Sequence, residues 1–468
     1  MVRLNEAVRP CLRAGVATSN GKTTRQKVVH LLTRYQRGGA ERRLVDLIAA
    51  LPKDAFSHTV VVGPDSDLQS LRAALPQARV LVEPRLRRTI NPIRDVAALL
   101  GLVTLLRREQ PLIVHTCHSK AGILGRLAAR AAGTPSVVHT LSMRNFGPTF
   151  GSLTSVVYRF AERWVGRWTD AYLVVGDDLL QWYRTWGIGD PGRFHVIRSP
   201  LDVEMVERVG LQTRHSMRER LGVAHRGPLV VYVGRLERTK GVLDLPPLLE
   251  SLRTHVPNAR LLIAGEGPLL QPLAKNFQTL GVSESVSFLG YRHDIPGLIR
   301  AADCVLLPSM AEGLSQVLVQ AAGVGTPFVS YAVDGVTELL DRGAAGAAIA
   351  AGDWQAAAGA VAAFLASPSH APALDVSEWS SATTRPAYRS VLMALAEEAR
   401  AKVLVSDRSK SAPGAPARVA FFMTSPNGGG AERAMINVAN YFAAQDVTVD
   451  VVFGRPHGPY RGDLDRRT

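Results

Sequence analysis

Cysteine is scarce in this chain. Its 468 residues include three, Cys11, Cys117 and Cys304. They are too few and too scattered for a disulfide framework or a zinc site, and a reducing cytoplasm is the compartment such usage favours. Long apolar runs are missing as well: the best, Val96 to Leu106, stops at Arg107 and Arg108, short of a bilayer's width. The first 25 residues contain Arg3, Arg9 and Arg13 but no apolar stretch of the secretory kind, so they read as a loose N-terminal extension. Acidic residues are short in one region only. Residues 1–200 carry 29 Lys+Arg against 14 Asp+Glu, whereas the remainder carries 26 of each. The whole net charge of +15 therefore sits in the first part, where nucleic acid, an anionic membrane or a phosphate-bearing substrate would answer it. With 46% hydrophobic and 20% charged residues, the chain has the material for a core, which excludes general disorder.

What is present is alternation. Apolar runs of strand length, Val28 to Leu32, Thr59 to Val62, Leu112 to His115, Ser136 to His139 and Ala171 to Val175, are separated by amphipathic stretches such as Glu41 to Leu51 and Ala121 to Ala132. The pattern restarts after Pro200 with Leu229 to Val233, Arg260 to Ala264, Val286 to Leu289, Cys304 to Leu307 and Pro327 to Ser330. Such alternation predicts α/β architecture: two doubly wound parallel sheets covered by helices, joined near residues 198–210. Ligands of such sheets bind at the carboxyl ends of strands, and two facing halves make a cleft.

A Ser/Pro/Ala-rich linker at 403–417 precedes an internal repeat. Residues 419–433, VAFFMTSPNGGGAER, match 28–42, VVHLLTRYQRGGAER, without a gap at an offset of 391. Identities include Gly38/Gly429, Gly39/Gly430, Glu41/Glu432 and Arg42/Arg433, and the register persists to Gly63/Gly454. The period is domain-length, and the second copy has room for about one strand–helix–strand unit, too little to bury a core alone.

Several loops carry chemistry. Gly38-Gly39 joins a strand to a helix, where glycine lets backbone approach a ligand and helix N–H groups meet an anion. After the strand Leu229 to Val233 come Gly234, Arg235 and Lys240-Gly241, two cations suited to a diphosphate. Taken singly, these are also compatible with a tight turn and a surface ion pair. Pro308-Ser309-Met310-Ala311-Glu312-Gly313-Leu314-Ser315 follows another buried strand, with Glu312 expected at a helix start and Gln320 two turns along, on the same face.

Taken together with Gly265-Glu266-Gly267-Pro268, Phe288-Leu289-Gly290 and Gly325-Thr326-Pro327, these motifs stand in an order that strongly resembles the retaining GT-B glycosyltransferases of family 4. The resemblance covers roughly residues 26–395, and residues from 418 resemble the truncated start of a second copy. It implies two Rossmann-like domains facing a cleft: an acceptor domain at 26–205 and a nucleotide-sugar domain at 206–395. A helix end and linker at 396–417 and a partial repeat at 418–468 would follow, after the extension at 1–25. Arg235 and Lys240 would hold the donor diphosphate. Glu312 would contact the donor sugar, and Gln320 stands where the family's Glu-x7-Glu motif has its second carboxylate, on ribose. Gly313, Leu314, Ser315 and Gln316 would meet phosphate and sugar through their backbone. Tyr291 and Arg292 would flank the base, with Gly38 and Gly39 approaching from the opposite wall.

Two departures from the family accompany this. Gln320 replaces a carboxylate, which removes charge assistance. Ser142 occupies the place of a His beside the reacting sugar, with Arg144 as a local substitute if the loop shifts. His139 lies three residues early, and His115 matches a family His while Cys117 replaces another. The resemblance implies no metal and no cofactor, and Asp65-x-Asp67 after Gly63-Pro64 reads as a turn.

The implied partners are a nucleotide-sugar donor, a lipid-linked or polysaccharide acceptor of cell-envelope synthesis, and an anionic membrane touched peripherally from the cytoplasmic side; nucleic acid is not expected. Arg85, Arg87, Arg88, Arg107 and Arg108 are candidates for the membrane contact. Trp164 and Trp168 alternate with Arg159, Arg163 and Arg167 at helical spacing, and the favoured reading turns the tryptophans inward. A catalytically weakened scaffold of the same fold, or a fragment of a tandem transferase, are the alternatives that Ser142, Gln320 and the partial repeat leave open.

Overall fold

The computed structural model describes residues 25–36, 39–147, 151–220, 227–367, 371–410, 418–423, 430–445 and 447–453. The N-terminal extension, Gly38, Gly429 and Gly454 thus lie outside the described residues. The chain divides into two compact units, Met1–Arg400 and Ala401–Thr468.

The first unit holds two parallel sheets, as the alternation predicts. One contains β1 (Gln26–Leu32), β2 (Phe56–Val62), β3 (Arg79–Val82), β4 (Ile113–Cys117), β5 (Ser136–Leu141), β6 (Ala171–Val174) and β7 (Phe194–Val196), in the order β3-β2-β1-β4-β5-β6-β7. The other contains β8 (Leu229–Val233), β9 (Arg260–Ala264), β10 (Val286–Gly290), β11 (Cys304–Leu307), β12 (Phe328–Tyr331) and β13 (Gly346–Ile349), in the order β10-β9-β8-β11-β12-β13. Strand order reverses between β1 and β4 and between β8 and β11, which opens a crevice at each switch point.

Both faces of the first sheet are covered. Val28, Leu32, Val60 and Val62 pack with Leu44, Leu47 and Ile48 of the helix Gly39–Ala50 and with Tyr388, Leu392 and Leu395 of the helix Ser381–Lys410. Val29, Leu31, Val61 and Val114 pack on the other side with Leu102 and Leu106 of the helix Pro92–Glu109 and Ala128 and Ala129 of the helix Ser119–Ala132. The helix Ser381–Lys410 therefore returns to the first sheet, although its beginning adjoins the second in sequence. Asp46 anchors it, accepting from Ser381 Oγ (2.7 Å), Thr384 Oγ1 (3.1 Å) and Arg385 Nη2 (2.9 Å). Its helical course also runs through the first half of the stretch read as linker, to Lys410.

The second unit repeats one motif. β14 (Arg418–Met423), the helix Gly430–Ala444 and β15 (Thr448–Phe453) form a parallel strand–helix–strand. Its register, Arg418↔Thr448 to Met423↔Phe453, is that of Lys27↔Ser57 to Leu32↔Val62 displaced by the repeat offset. Gly430 opens its helix as Gly39 opens the first.

Inside the first sheet runs a line of histidines. His30 Nε2 lies 3.0 Å from His58 Nδ1, His30 Nδ1 3.0 Å from His115 Nδ1, and His115 Nε2 2.7 Å from Thr140 Oγ1. Neutral rings satisfy this line, His30 and His115 each donating once and accepting once. Burial holds them neutral: it pushes His58 down to about 4 and His115 to about 3, and His30 falls well below its usual value through burial and its two neighbours. Folded pKa values below that of the unfolded chain mean stability that is complete above about pH 6.5 and lost as the pH falls below it. The change in unfolding free energy between pH 7.5 and 5.5, measured in urea, is expected to be less destabilising by about 1.4 kcal/mol in His58→Gln than in the parent. An identical change in both proteins would contradict the neutral line.

Candidate active site between the two sheets

The second sheet builds its wall of the cleft by bringing loop backbones into contact. Gly265 after β9 donates its N–H to Gly290 O at the end of β10 (2.8 Å), and Gly234 after β8 donates to Ala264 O (3.0 Å). The loop after β8 then folds onto the exit of β11: Met310 N–H donates to Thr239 O (3.0 Å), and a Cβ on Gly241 would lie 1.7 Å from Pro308 O. Gly241 also has φ +62°, in the left-handed region. This fold-back sets Lys240 beside Glu312, and Lys240 Nζ and Glu312 Oε1 form an ion pair. Arg235 is half exposed, holds Glu237 at 2.7 Å and reaches across the cleft to donate to Gln36 Oε1 (2.6 Å).

Glu312 lies in a loop four residues ahead of the helix Gln316–Gly323, whose N-cap is Ser315, and not at the helix start that the sequence predicts. Gln320 sits on the second turn and donates to Gln316 O (3.1 Å), while Gln316 Nε2 donates to Pro200 O (3.0 Å). Leu314 is buried beneath Gly335, at φ +80°. Tyr291 and Arg292 follow β10 at the same end of the sheet; Tyr291 packs edge-on against His293, and Arg292 is taken up by Asp294 (2.6 Å).

The first sheet supplies the facing wall. Gly39 is the first residue of its helix, and Glu41 within the first turn accepts from Gln36 N–H (3.2 Å). Ser142, just beyond β5, touches the other wall directly: a Cβ on Gly313 would lie 2.0 Å from Ser142 O. The Ser142 hydroxyl accepts from Arg43 Nη2 (2.5 Å), and Arg43 Nη1 donates to Ser199 Oγ (2.5 Å). Arg43 is a site residue the sequence reading missed. Its signal was its place on the border of an apolar helical face beside Leu44 and Leu47, where a long side chain turns inward.

Arg144 faces the other sheet, pairing with Asp334 through Nε (2.6 Å) and Nη2 while its guanidinium stacks 4.0 Å from the Trp182 ring centre. Burial pushes the Asp334 carboxyl up to about 6 against the pull of Arg144. Two more contacts cross here, Gly335 N–H to Asp178 Oδ2 and Asp177 N–H to Glu338 Oε2, each 2.9 Å. Arg144 is thus part of a clasp between the walls. His139 points into the core, with Nδ1 2.8 Å from Thr116 Oγ1, and His118 is pushed down to about 4 by burial and then by Arg43, Arg34, Arg235 and Arg88. Asp65 pairs with Arg87 (2.9 Å) and Asp67 caps a helix through Ser70 N–H (3.0 Å).

Comparison with known proteins agrees with this geometry. Residues 213–376 match the family described as Glycosyl transferases group 1, and residues 38–200 the Glycosyl transferase 4-like domain. The chain is 28% identical over 316 residues to the UDP-Gal:alpha-D-GlcNAc-diphosphoundecaprenol alpha-1,3-galactosyltransferase of Escherichia coli, covering 66% of this chain and 80% of that one. It is 30% identical over 250 residues to the alpha-D-kanosaminyltransferase of Streptomyces kanamyceticus, covering 52% and 64% respectively. In fold it resembles Anabaena Alr3699/HepE in complex with UDP and glucose, with a TM-score of 0.58 at 20% identity, over 83% of this chain and all of that one.

The close contact at Gly241 has a measurable consequence. Gly241→Ala combines left-handed strain with a backbone collision and is expected to lose about 2–4 kcal/mol of unfolding free energy. Gly343→Ala, at φ +94° with nothing within 4 Å of the added Cβ, is expected to lose about 1–2 kcal/mol. Equal losses in urea titrations would mean that the fold-back onto Pro308 is not tight.

Proposed function

The chain belongs to the group 1 glycosyltransferases of family 4, with the GT-B fold and a nucleotide-sugar donor, and we propose that it transfers the donor sugar with retention to a lipid-linked or polysaccharide acceptor of cell-envelope synthesis. The observation that carries the reading is the convergence of Arg235, Lys240 and Glu312 at the strand exits of one sheet, against Gln36 and Ser142 of the other. A nucleoside diphosphate leaves as an anion, so the protein's task is to stabilise that charge and hold the acceptor close. Arg235 gives forked hydrogen bonds to the diphosphate and Lys240 a point charge. Glu312, held by Lys240, is oriented towards the hydroxyls of the donor sugar. The N–H groups from Gly313 to Gln316 and those behind Gly39 add fixed dipoles. Gln320 serves the ribose as a neutral partner, and Tyr291 offers a ring edge to the base beside Arg292.

In this reading Ser142 lines the sugar pocket without acting as an acid or base, and its Arg43 contact keeps a cation behind it. Arg144 holds the walls together. Neither a metal nor a cofactor takes part, and Asp65 and Asp67 are occupied structurally. The first sheet, 26–205, receives the acceptor, and the second, 206–395, the donor, in the cytoplasm at the inner face of the membrane. The shared register of β14–β15 and β1–β2 favours reading 418–468 as the opening of a second copy.

Calorimetry with UDP, GDP and ADP sugars tests the donor site. Arg235→Ala and Lys240→Met are each expected to weaken binding of the preferred nucleotide sugar about 10- to 100-fold, the worth of one charge-assisted hydrogen bond. Proton NMR of the product is expected to show the donor's own anomeric configuration. Unchanged affinity in both variants, or an inverted product, would overturn the reading.

A further inference from the structure

The outer helical layer of the first sheet carries apolar side chains into water. In the helix Ser152–Gly166, Leu153 (78% exposed), Val156, Val157, Phe160 (71%) and Trp164 (45%) are exposed at positions 0, 3, 4, 7 and 11. That spacing is one stripe along the helix. The tryptophan expected to turn inward is therefore on the surface, edge-on to Trp168 at 5.0 Å. The helix Pro92–Glu109 does the same in its first half: Ile93 (86%), Val96 and Leu100 are exposed, with Ile90 just before it. Its opposite side, Leu102 and Leu106, fills the core.

The two stripes belong to one surface. Both helices pack on the helix Ser119–Ala132 between them. Lys120 at its start bonds Asp95 (2.7 Å), and burial followed by the Asp95 carboxylate pushes the Tyr158 phenol up, which sets the start of one flanking helix near the other. Helices of a parallel sheet begin at the carboxyl ends of strands, so the exposed half of Pro92–Glu109 lies at the cleft end of the layer.

Basic side chains predominate around these stripes, and Asp190 beside Arg163 and Arg167 is paired with Arg193. Arg94, Arg163 and Arg167 are exposed, as is Arg88 in the preceding loop. The carboxylates on these stretches are spoken for: Asp95 by Lys120, Glu162 by Arg126 in a fully buried pair (2.6 Å), and Glu109 by Arg79 (2.9 Å) at the far end. An apolar stripe rimmed by arginines complements an anionic lipid surface. A second copy would instead set arginine rim near arginine rim.

We propose that this surface is a membrane-docking face, on which the stripe of Ser152–Gly166 and the first turns of Pro92–Glu109 enter the headgroup layer of an anionic bilayer and bring the cleft to a membrane-borne acceptor. The proposal deepens the reading of a lipid-linked acceptor and rests on it. Docking here is hydrophobic insertion steered by charge, so salt weakens it without abolishing it.

Flotation of the full chain with vesicles of 70% phosphatidylcholine and 30% phosphatidylglycerol tests it, with pure phosphatidylcholine as the comparison. The parent protein is expected to float with the anionic vesicles, to retain part of that binding in 0.5 M salt, and to lose tryptophan fluorescence to lipids brominated on their acyl chains. The triple variant I93S/L153S/F160S is expected to partition at least tenfold less, with unchanged melting temperature and unchanged calorimetric binding of the nucleotide sugar. Equal flotation of variant and parent, or no brominated-lipid quenching, overturns the proposal. So does a dimer in light scattering that the triple variant splits while neither protein floats, which would assign the face to a second copy. Loss of nucleotide-sugar binding in the parent with flotation intact would strike the transferase reading and leave docking supported.

Discussion

Backbone touching backbone is the constraint from which the candidate site follows. At Gly241, Gly265 and Gly313 an added Cβ would come within 1.7, 1.8 and 2.0 Å of the carbonyl oxygens of Pro308, Gly234 and Ser142. The first two contacts gather the exits of β8, β9 and β11 into one surface; the third presses that surface against the opposite wall. A side chain at either of the first two would separate strands that place Arg235, Lys240 and Glu312 together, and one at Gly313 would part the walls. These glycines are spacers of zero thickness, which explains why the cations stand on loops and still hold fixed positions.

The two walls are joined by charge as well as by contact. Arg144 with Asp334, and the N–H groups of Gly335 and Asp177 with Asp178 and Glu338, form a clasp on one flank. Arg235 with Gln36 links the walls at another point. Arg43 ties Ser142 to Ser199, next to the Pro200 connection between the sheets. Ser142, which the family resemblance sets in the place of a histidine, therefore does not leave a hole. The serine is held by a buried cation whose hydrogen bonds span the wall of the first sheet and the connection.

Much of this was legible in the sequence, and the misses have physical reasons. Nine interior strands and the five-residue edge strand β10 announced themselves as apolar runs. β3, β7 and β13 did not, because each is a sheet edge of three or four residues with little fully buried surface. The Gly-Arg, Lys-Gly and Glu-Gly motifs marked the second sheet's wall of the cleft, since close approach needs glycine whatever surrounds it. Periodicity alone did not separate Glu312 from the helix beginning at Gln316; the mark of that start is Ser315, a residue type favoured at the N-cap. Nor could periodicity turn Trp164 outward: a stripe of Leu, Val, Phe and Trp has the pattern of a core face whether or not anything covers it. The return of Ser381–Lys410 to the first sheet rests on Asp46, some 335 residues away, a distance at which local pattern carries no information. The repeat was the clearest signal, and the shared register of its strands gives it a structural counterpart.

The central claim is that a nucleoside diphosphate sits between the two walls. Hydrogen exchange of the whole chain, with and without UDP, GDP or ADP, addresses it most directly. With the nucleotide that binds, the account predicts added protection in residues 234–242 and 309–320 of one sheet and in 39–43 and 140–144 of the other. Protection confined to one wall, or appearing on the exposed helices of the first sheet, would contradict it.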